Sequence, residues 1–265
     1  MRSLGGTWES AARARVYDLL HRGTPGDVAF YRHVCAGAGE VLELGCGSGR
    51  VLVELCRAGL TMTGLDLDPA KLARAGAELS REGLAGATLV EGDMADFALG
   101  RRFDRVIIPY NALCALPSDE AVLGCLASVA RHLAPGGRLW FDVYTVDDAI
   151  LDEPCFDEEL ADAFAQTLSA VDAEGRVEVW ESEAQTREPR RVDIHYRYEL
   201  RPLGGGPLVE LEDCIPHLLL PPRRLRAMLR EAGFDVVAEH GDFDPAPLDD
   251  DSATYIVGAA LRVTA

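Results

Sequence analysis

Between Leu44 and Arg50 the chain reads Gly45-Cys46-Gly47-Ser48-Gly49, with glycine at every second position and Glu43 two residues ahead of the first. Glycines spaced in this way let backbone approach a ligand closely and take up positive φ. A short apolar run, residues 40 to 44, precedes them, and an amphipathic segment begins near Arg50. The loop therefore joins a buried strand to the start of a helix, where free N–H groups and the helix dipole favour a polar or anionic ligand. The dinucleotide fingerprint GxGxxG would need a third glycine at position 50, which is Arg50 here, and this departure counts against a nicotinamide-dependent dehydrogenase. Asp66 closes the next apolar run, 17 residues after Gly49. A carboxylate at that point can accept hydrogen bonds from both ribose hydroxyls of an adenosine. Gly92-Asp93-Met94 follows the third run and offers an acidic and an apolar side chain suited to an adenine amine and its face.

These residues have to be carried by regular elements, and the chain supplies them in alternation. Strands are expected at 40 to 44, 61 to 66, 87 to 91, 103 to 109 and 138 to 144. One helix follows the glycine loop and stops at Gly59. A second starts at the N-cap Asp68, with Pro69 in its first turn, and ends at Gly83. A third is capped by Ser118 and repeats Val122, Leu126, Val129 and Leu133 at helical spacing. Such alternation implies a parallel sheet covered on both faces. Residues 8 to 34 read as helical, with a turn at Gly23-Thr24-Pro25-Gly26.

The rhythm breaks after Tyr144. Residues 147 to 162 carry eight acidic side chains and no basic one; they read as a solvated segment, or as an entrance that draws in a cationic acceptor. Residues 191 to 201 then alternate, with Val192, Ile194, Tyr196, Tyr198 and Leu200 on one face and Asp193, His195, Arg197, Glu199 and Arg201 on the other. The apolar face is expected to pack against the main sheet. A turn at 204 to 207 leads into a strand at 208 to 215. The α/β pattern resumes with a helix at 222 to 232 and strands at 234 to 240 and 253 to 262. The expected fold is α/β: a Rossmann-like, doubly wound, mostly parallel seven-stranded sheet, with an antiparallel β insertion between strand 5 and the last major helix. Three parts follow: an N-terminal helical cover at 1–39, a nucleotide-binding domain at 40–146 and 218–265, and a β-rich insertion at 147–217.

Composition narrows the class further. The 265 residues are 48% apolar and 26% charged, as in ordinary globular chains. Acidic residues outnumber basic ones 44 to 26, a formal charge of −18. That field repels phosphate backbones, so nucleic acid is not an expected partner. Residues 1 to 30 lack the apolar core of a signal peptide, and no run of 18 apolar residues occurs, so no membrane association and a cytoplasmic location are expected. Seven cysteines, an odd number with no CxxC pair, argue against a disulfide framework and a cysteine-based metal site.

The segments VLELGCGSGR (41–50), GLDLDPAKL (64–72), EGDMADF (91–97), FDRVIIPYNAL (103–113) and LAPGGRLWFDV (133–143) resemble the ordered motifs of the class I S-adenosylmethionine-dependent methyltransferases. AGFDVVAEHGDF (232–243) is similar to that family's sixth-strand region. The resemblance implies S-adenosyl-L-methionine as cofactor, S-adenosyl-L-homocysteine as product and no metal. Gly45, Cys46 and Gly47 are then expected under the methionine portion, with Asp66 on the ribose, Leu67 on the adenine, and Asp93 with Met94 at the adenine amine. Pro109 at the end of the fourth strand should lie beside the sulfonium, and Tyr17 and Tyr31 look like aromatic residues that close over the cofactor. Asn111 and Tyr144 are candidates for the acceptor site, and Tyr110 and His195 for moving the acceptor's proton. The sequence Ile108-Pro109-Tyr110-Asn111 lacks the Asn/Asp-Pro-Pro-aromatic motif of enzymes that methylate base or glutamine amines. The implied activity is N- or O-methylation of a small-molecule acceptor by in-line transfer, with the insertion reading the acceptor or forming a homodimer contact. The alternatives are different chemistry on the same cofactor, or a noncatalytic cofactor-binding partner subunit.

Overall fold

The computed structural model describes residues 7–151, 164–186, 191–244 and 246–262. It divides into two compact units, one of residues 23–151 and 220–265, the other of residues 1–22 and 152–219.

The larger unit is built on a seven-stranded sheet. Strands β1 (Glu40–Leu44), β2 (Thr61–Asp66), β3 (Ala87–Glu91), β4 (Phe103–Ile108) and β5 (Leu133–Tyr144) run parallel, with β10 (Phe234–His240) and β11 (Thr254–Leu261) beyond β5. The order is β10-β11-β5-β4-β1-β2-β3, and β11 alone runs against the direction of the other six. The central strands are apolar on both faces because helices cover both; Leu42, Leu44, Val106, Ile107, Ile108 and Phe141 are all fully buried. Helices α2 (Asp27–Val34), α3 (Arg50–Arg57) and α4 (Pro69–Arg81) share one core cluster with Val41, Ile107, Trp140 and Ile256 of the sheet. Helix α5 (Asp119–His132) packs on β5 and on α6 (Pro222–Glu231), and α6 packs on β10.

Local chemistry sets the helix starts. Asp68 accepts from the Ala70 amide at 2.8 Å ahead of Pro69. Ser118 accepts from the Ala121 amide at 3.3 Å, and α5 carries Asp119 and Glu120 in its first turn and Arg131 and His132 in its last, in keeping with the helix dipole. The expected α/β architecture is what the structure has.

The smaller unit is a four-stranded antiparallel sheet of order β6-β7-β8-β9, formed by Ala165–Val171, Gly175–Thr186, Arg191–Pro202 and Val209–Leu218. Its apolar face is covered by α1 (Thr7–Leu20), whose Val16 packs with Val177, Val179, Tyr196, Tyr198, Leu200 and Leu211. Arg15 forks onto Asp172, and Arg13 reaches Asp213 at 3.2 Å. Two expectations change here. The segment read as one helical cover, residues 1–39, divides at Gly23, and the apolar face of β8 is closed by α1 rather than by the parallel sheet. An amphipathic helix states that it must pack; it does not state on what.

Of the acidic stretch, Asp147 and Asp148 are described, and both accept from backbone amides. Asp147 accepts from the Ala149 amide and Asp148 from the Arg223 amide, each at 2.8 Å. The other six acids, at 152 to 162, lie outside the described residues, as does Cys155. Among the described residues no helix is long and apolar enough to cross a membrane. The six described cysteines are free thiols, five of them buried.

Close packing in the larger unit leaves no room for a side chain at several glycines, Gly258 among them. A Cβ on Gly258 would lie 2.7 to 2.9 Å from three ring atoms of Trp140, the neighbouring residue across β5 and β11. Gly258→Ala should therefore lower the unfolding midpoint, at a cost of about 1–3 kcal/mol from overpacking against a rigid ring. An unchanged midpoint in thermal or urea unfolding would show that the indole moves aside freely.

Candidate active site

Strand order reverses between β1 and β4, and ligands of open α/β sheets bind in the crevice at the carboxyl ends of strands where this happens. On one wall of the crevice, β1 runs into the glycine loop. Gly45, Gly47 and Gly49 have φ of 68°, 52° and 84°, values an L side chain rarely adopts. A Cβ on Gly45 would also lie 2.9 Å from the Cβ of Ala112, so the loop is bare where it passes the end of β4. The Gly45 and Cys46 amides both donate to the Leu65 carbonyl, at 2.8 and 3.1 Å, which ties the loop to β2.

Asp66, at the end of β2, is fixed before any ligand arrives. One carboxylate oxygen accepts from the Gly47 amide at 2.7 Å and the other from the Asp68 amide at 2.9 Å. Each oxygen retains a lone pair, so the group can still accept two further hydrogen bonds. Beside it Leu67 is 68% exposed, an apolar side chain with little protein over it. The Gly92 amide donates to the Asp66 carbonyl at 3.0 Å, bringing the end of β3 alongside. There Asp93 is exposed and turns onto the Ala95 amide at 2.8 Å, with Met94 half-buried next to it.

The opposite wall is locked from β5. Tyr110 and Asn111 follow β4 with φ of 57° and 59°, left-handed positions occupied by two non-glycine residues in succession. Strain of this kind persists only where surrounding contacts hold it. Here the Asp142 carboxylate accepts from the Tyr110 amide at 2.9 and 3.0 Å, and its carbonyl accepts from the Asn111 amide at 3.2 Å. The Asn111 side-chain oxygen in turn accepts from the Tyr144 amide. Tyr31 donates its hydroxyl to the same carboxylate from α2.

Behind this wall lies a charge cluster in which Asp27 and Glu43 are buried and Arg50 is half-buried. Arg50 pairs with Asp27 at 2.7 Å, and its guanidinium lies 5.3 Å from the centre of the Tyr110 ring. Asp27 also accepts from the Thr24 and Val28 amides. Glu43 is buried, and its Oε2 has no hydrogen-bond partner among the described residues. Burial pushes the Glu43 carboxyl up to about 8, an effect opposed by Arg50 and reinforced by Asp66 and Asp27. Burial also raises Asp142, to about 6, against the hydrogen bonds from Tyr31 and the Tyr110 amide.

The larger unit thus brings together ten of the residues singled out from the sequence: Gly45, Cys46, Gly47, Asp66, Leu67, Asp93, Met94, Pro109, Tyr110 and Asn111 stand at the carboxyl ends of β1 to β4. Tyr144 ends β5 beside them. Tyr31 differs from its expected place: it is fully buried in the core, its ring against Phe30 and Phe243, because α2 docks that face onto the sheet. Tyr17 and His195 belong to the smaller unit. Tyr17 meets His21 at a tilt with ring centres 4.2 Å apart, and His195 faces Cys214 across β8 and β9. Ligand-type atoms of Asp193, His195 and Cys214 lie within 4.8 Å of one another, but the carboxylate is already paired with Arg191 at 2.8 Å. The residues the sequence reading missed are Asp27, Arg50 and Asp142. Their signal was charge inside apolar or glycine-rich segments, where an unpaired charge would be costly.

Residues 41–137 match the family model described as a methyltransferase domain. The fold is shared with a solved S-adenosylmethionine-dependent methyltransferase from Clostridium acetobutylicum, at a TM-score of 0.76 and 16% identity over 95% of this chain and 98% of that one. Residues 41–137 thus match a methyltransferase domain, and the chain has the fold of solved S-adenosylmethionine-dependent methyltransferases. Among curated relatives, the dTDP-3-amino-3,4,6-trideoxy-alpha-D-glucopyranose N,N-dimethyltransferase of Streptomyces venezuelae is 34% identical over 132 residues, which cover 47% of this chain and 54% of that protein. The solved glycopeptide N-methyltransferase MtfA is 25% identical, with a TM-score of 0.57 over 95% of this chain and 90% of that one. The chain spans about half the length of the first curated relatives it matches.

Both raised carboxyls make stability depend on pH in one direction. The folded chain holds protons that the unfolded chain releases near its ordinary carboxylate range, so this contribution is full below about pH 4 and is lost as pH rises through about 6 and then about 8. Glu43→Gln should flatten the upper part of that fall, between about pH 6 and 8, in denaturant titrations across pH. An unchanged slope would mean that Glu43 is already ionised in the fold.

Proposed function

We propose that this chain is a cytoplasmic methyltransferase that moves a methyl group from S-adenosylmethionine to the amine nitrogen of a small, hydroxylated acceptor of the amino-sugar kind. The observation that carries the cofactor half is the pre-set Asp66 carboxylate, held by the Gly47 and Asp68 amides beside a glycine-rich loop at the switch point. The acceptor half is supported by the N-methyltransferase names of the Streptomyces venezuelae relative and of MtfA.

In this reading Asp66 would hold the ribose through the lone pairs its backbone contacts leave unused, and Leu67 would pack on the adenine. Asp93 would accept from the adenine amine, with Met94 on the ring face. Gly45, Cys46 and Gly47 would carry the methionine portion through backbone, since no side chain interposes there. When bound, the cofactor supplies a methyl group activated by a positively charged sulfur. The protein's task is then to orient an uncharged amine in line with that methyl and to exclude water, effects that are geometric and large. Pro109, Tyr110, Asn111 and Tyr144 are the residues proposed to shape that approach, because Asp142 fixes the turn after β4 and the Asn111 side chain ties Tyr144 to it. The amine must shed a proton to become, or after acting as, the nucleophile, and Tyr110 is the titratable side chain proposed nearest the acceptor.

Release of S-adenosylhomocysteine should be stimulated by sugar nucleotides that carry a free amine and not by their hydroxyl counterparts. Equal stimulation by the hydroxyl compounds would contradict N-methylation, and binding without release across both sets would leave a cofactor-binding protein only. Asp66→Ala should weaken cofactor affinity by about 2 kcal/mol, roughly 30-fold, through the loss of charged hydrogen bonds. Unchanged affinity by calorimetry would remove Asp66 from the site.

A further inference from the structure

The larger unit holds a cavity of ≈ 380 Å³ lined by Phe30, His33, Val34, Arg105, Arg138, Trp140 and His240. It is separate from the crevice described above. Arg105 precedes Tyr110 by five residues, about 16 Å back along an extended strand from the carboxyl ends of the sheet. The volume falls within the range of small-molecule sites, about 300–1,000 Å³.

Its floor is aromatic and rigid. Trp140 is buried and lies flat across β11, where Gly258 leaves room for it, and it runs parallel to His240 with ring planes 4° apart. Phe30 meets Trp140 edge-on at 5.5 Å and His240 at 6.1 Å. The lining is also cationic, in a chain whose formal charge is −18. Arg105 and Arg138 are direct neighbours in the register of β4 and β5. The Arg105 guanidinium donates to the Val34 and Asp104 carbonyls, at 2.9 and 2.8 Å, bonds that orient it while leaving N–H groups over and its charge uncancelled. Arg138 is exposed. Neither guanidinium has a carboxylate partner among the described residues, although the nearby Glu40 carboxylate is taken up by Arg101. Two like charges side by side are unfavourable, and an anion lying between them would relieve the repulsion. His33 and His240 add two further N–H donors at the rim.

We propose that this cavity is a second ligand site, specific for a planar aromatic group that bears an anionic substituent, such as an aryl phosphate. The ring stacks on the Trp140–His240 platform, and the anion takes the fork of Arg138 with Arg105.

The test uses 1-naphthyl phosphate as probe, with Trp140 as reporter through fluorescence quenching and calorimetry for stoichiometry. One-to-one binding is expected, undiminished by saturating S-adenosylhomocysteine. Both 1-naphthol and inorganic phosphate should bind at least about tenfold more weakly, because each supplies half of the recognition. Arg138→Glu, at an exposed position with no internal bond to lose, should weaken the probe at least tenfold while thermal unfolding stays unchanged. Trp140→Phe should keep the ring contact in part and abolish the quenching. No saturable binding below about 1 mM, binding equal in Arg138→Glu, equal affinity for 1-naphthol, or displacement by S-adenosylhomocysteine would each overturn the proposal.

Discussion

Strand order can reverse in a parallel sheet only by sending the connections after two neighbouring strands to opposite faces, and the gap this opens is the constraint on which the candidate site depends. In this protein the neighbours are β1 and β4. Their carboxyl ends part, and the chain must line the gap with backbone on one side and with a tight turn on the other. Glycine at 45 and 47 meets the first demand, since a side chain at 45 would strike Ala112. The second is met at greater cost, by two consecutive non-glycine residues in left-handed conformation.

That cost explains the buried acid behind the turn. Asp142 sits at the end of β5 with donors arriving from two directions: the Tyr110 amide from the turn and the Tyr31 hydroxyl from α2. A carboxylate in such a place loses hydration, which raises it toward the neutral range, and it is worth keeping only because it satisfies groups that would otherwise be orphaned. The same logic holds on the facing wall, where Asp66 is oriented by the Gly47 and Asp68 amides. Both walls are therefore set by carboxylates bonded to backbone, one buried and one half-open. The half-open one retains acceptor capacity, and a ligand would use it. Arg50 closes the back of the cluster by pairing with Asp27 while lowering the burden on Glu43. The residue that breaks the dinucleotide fingerprint thus has its own structural task.

Much of this was legible in the sequence. The glycine spacing, the acid at the end of β2 and the alternation of apolar runs with capped helices are local signals, and they landed within a residue or two of their expected places, except that β5 begins at Leu133 rather than at 138. What was not legible depends on which distant surfaces meet. The periodicity of residues 8 to 34 is the same whether the helix covers the parallel sheet or the insertion, and only the three-dimensional structure assigns α1 to β7, β8 and β9 and α2 to the larger sheet. Tyr31 illustrates the consequence: the family resemblance makes it a cofactor cover, its place on an amphipathic helix makes it core, and in the fold it is core, with its hydroxyl on a buried carboxylate. Asp142 reads from sequence as a lone acid within a strand, because its partners lie 32 and 111 residues away.

The candidate site stands on the placement of an adenosine against Asp66. A crystal structure of the full chain grown with S-adenosylhomocysteine tests this most directly. The prediction is density for the ligand in the crevice between β1 and β4, with both ribose hydroxyls within hydrogen-bonding distance of the Asp66 carboxylate and the amino-acid portion along Gly45 to Gly47. A ligand bound elsewhere, or bound here with its ribose away from Asp66, would contradict the account.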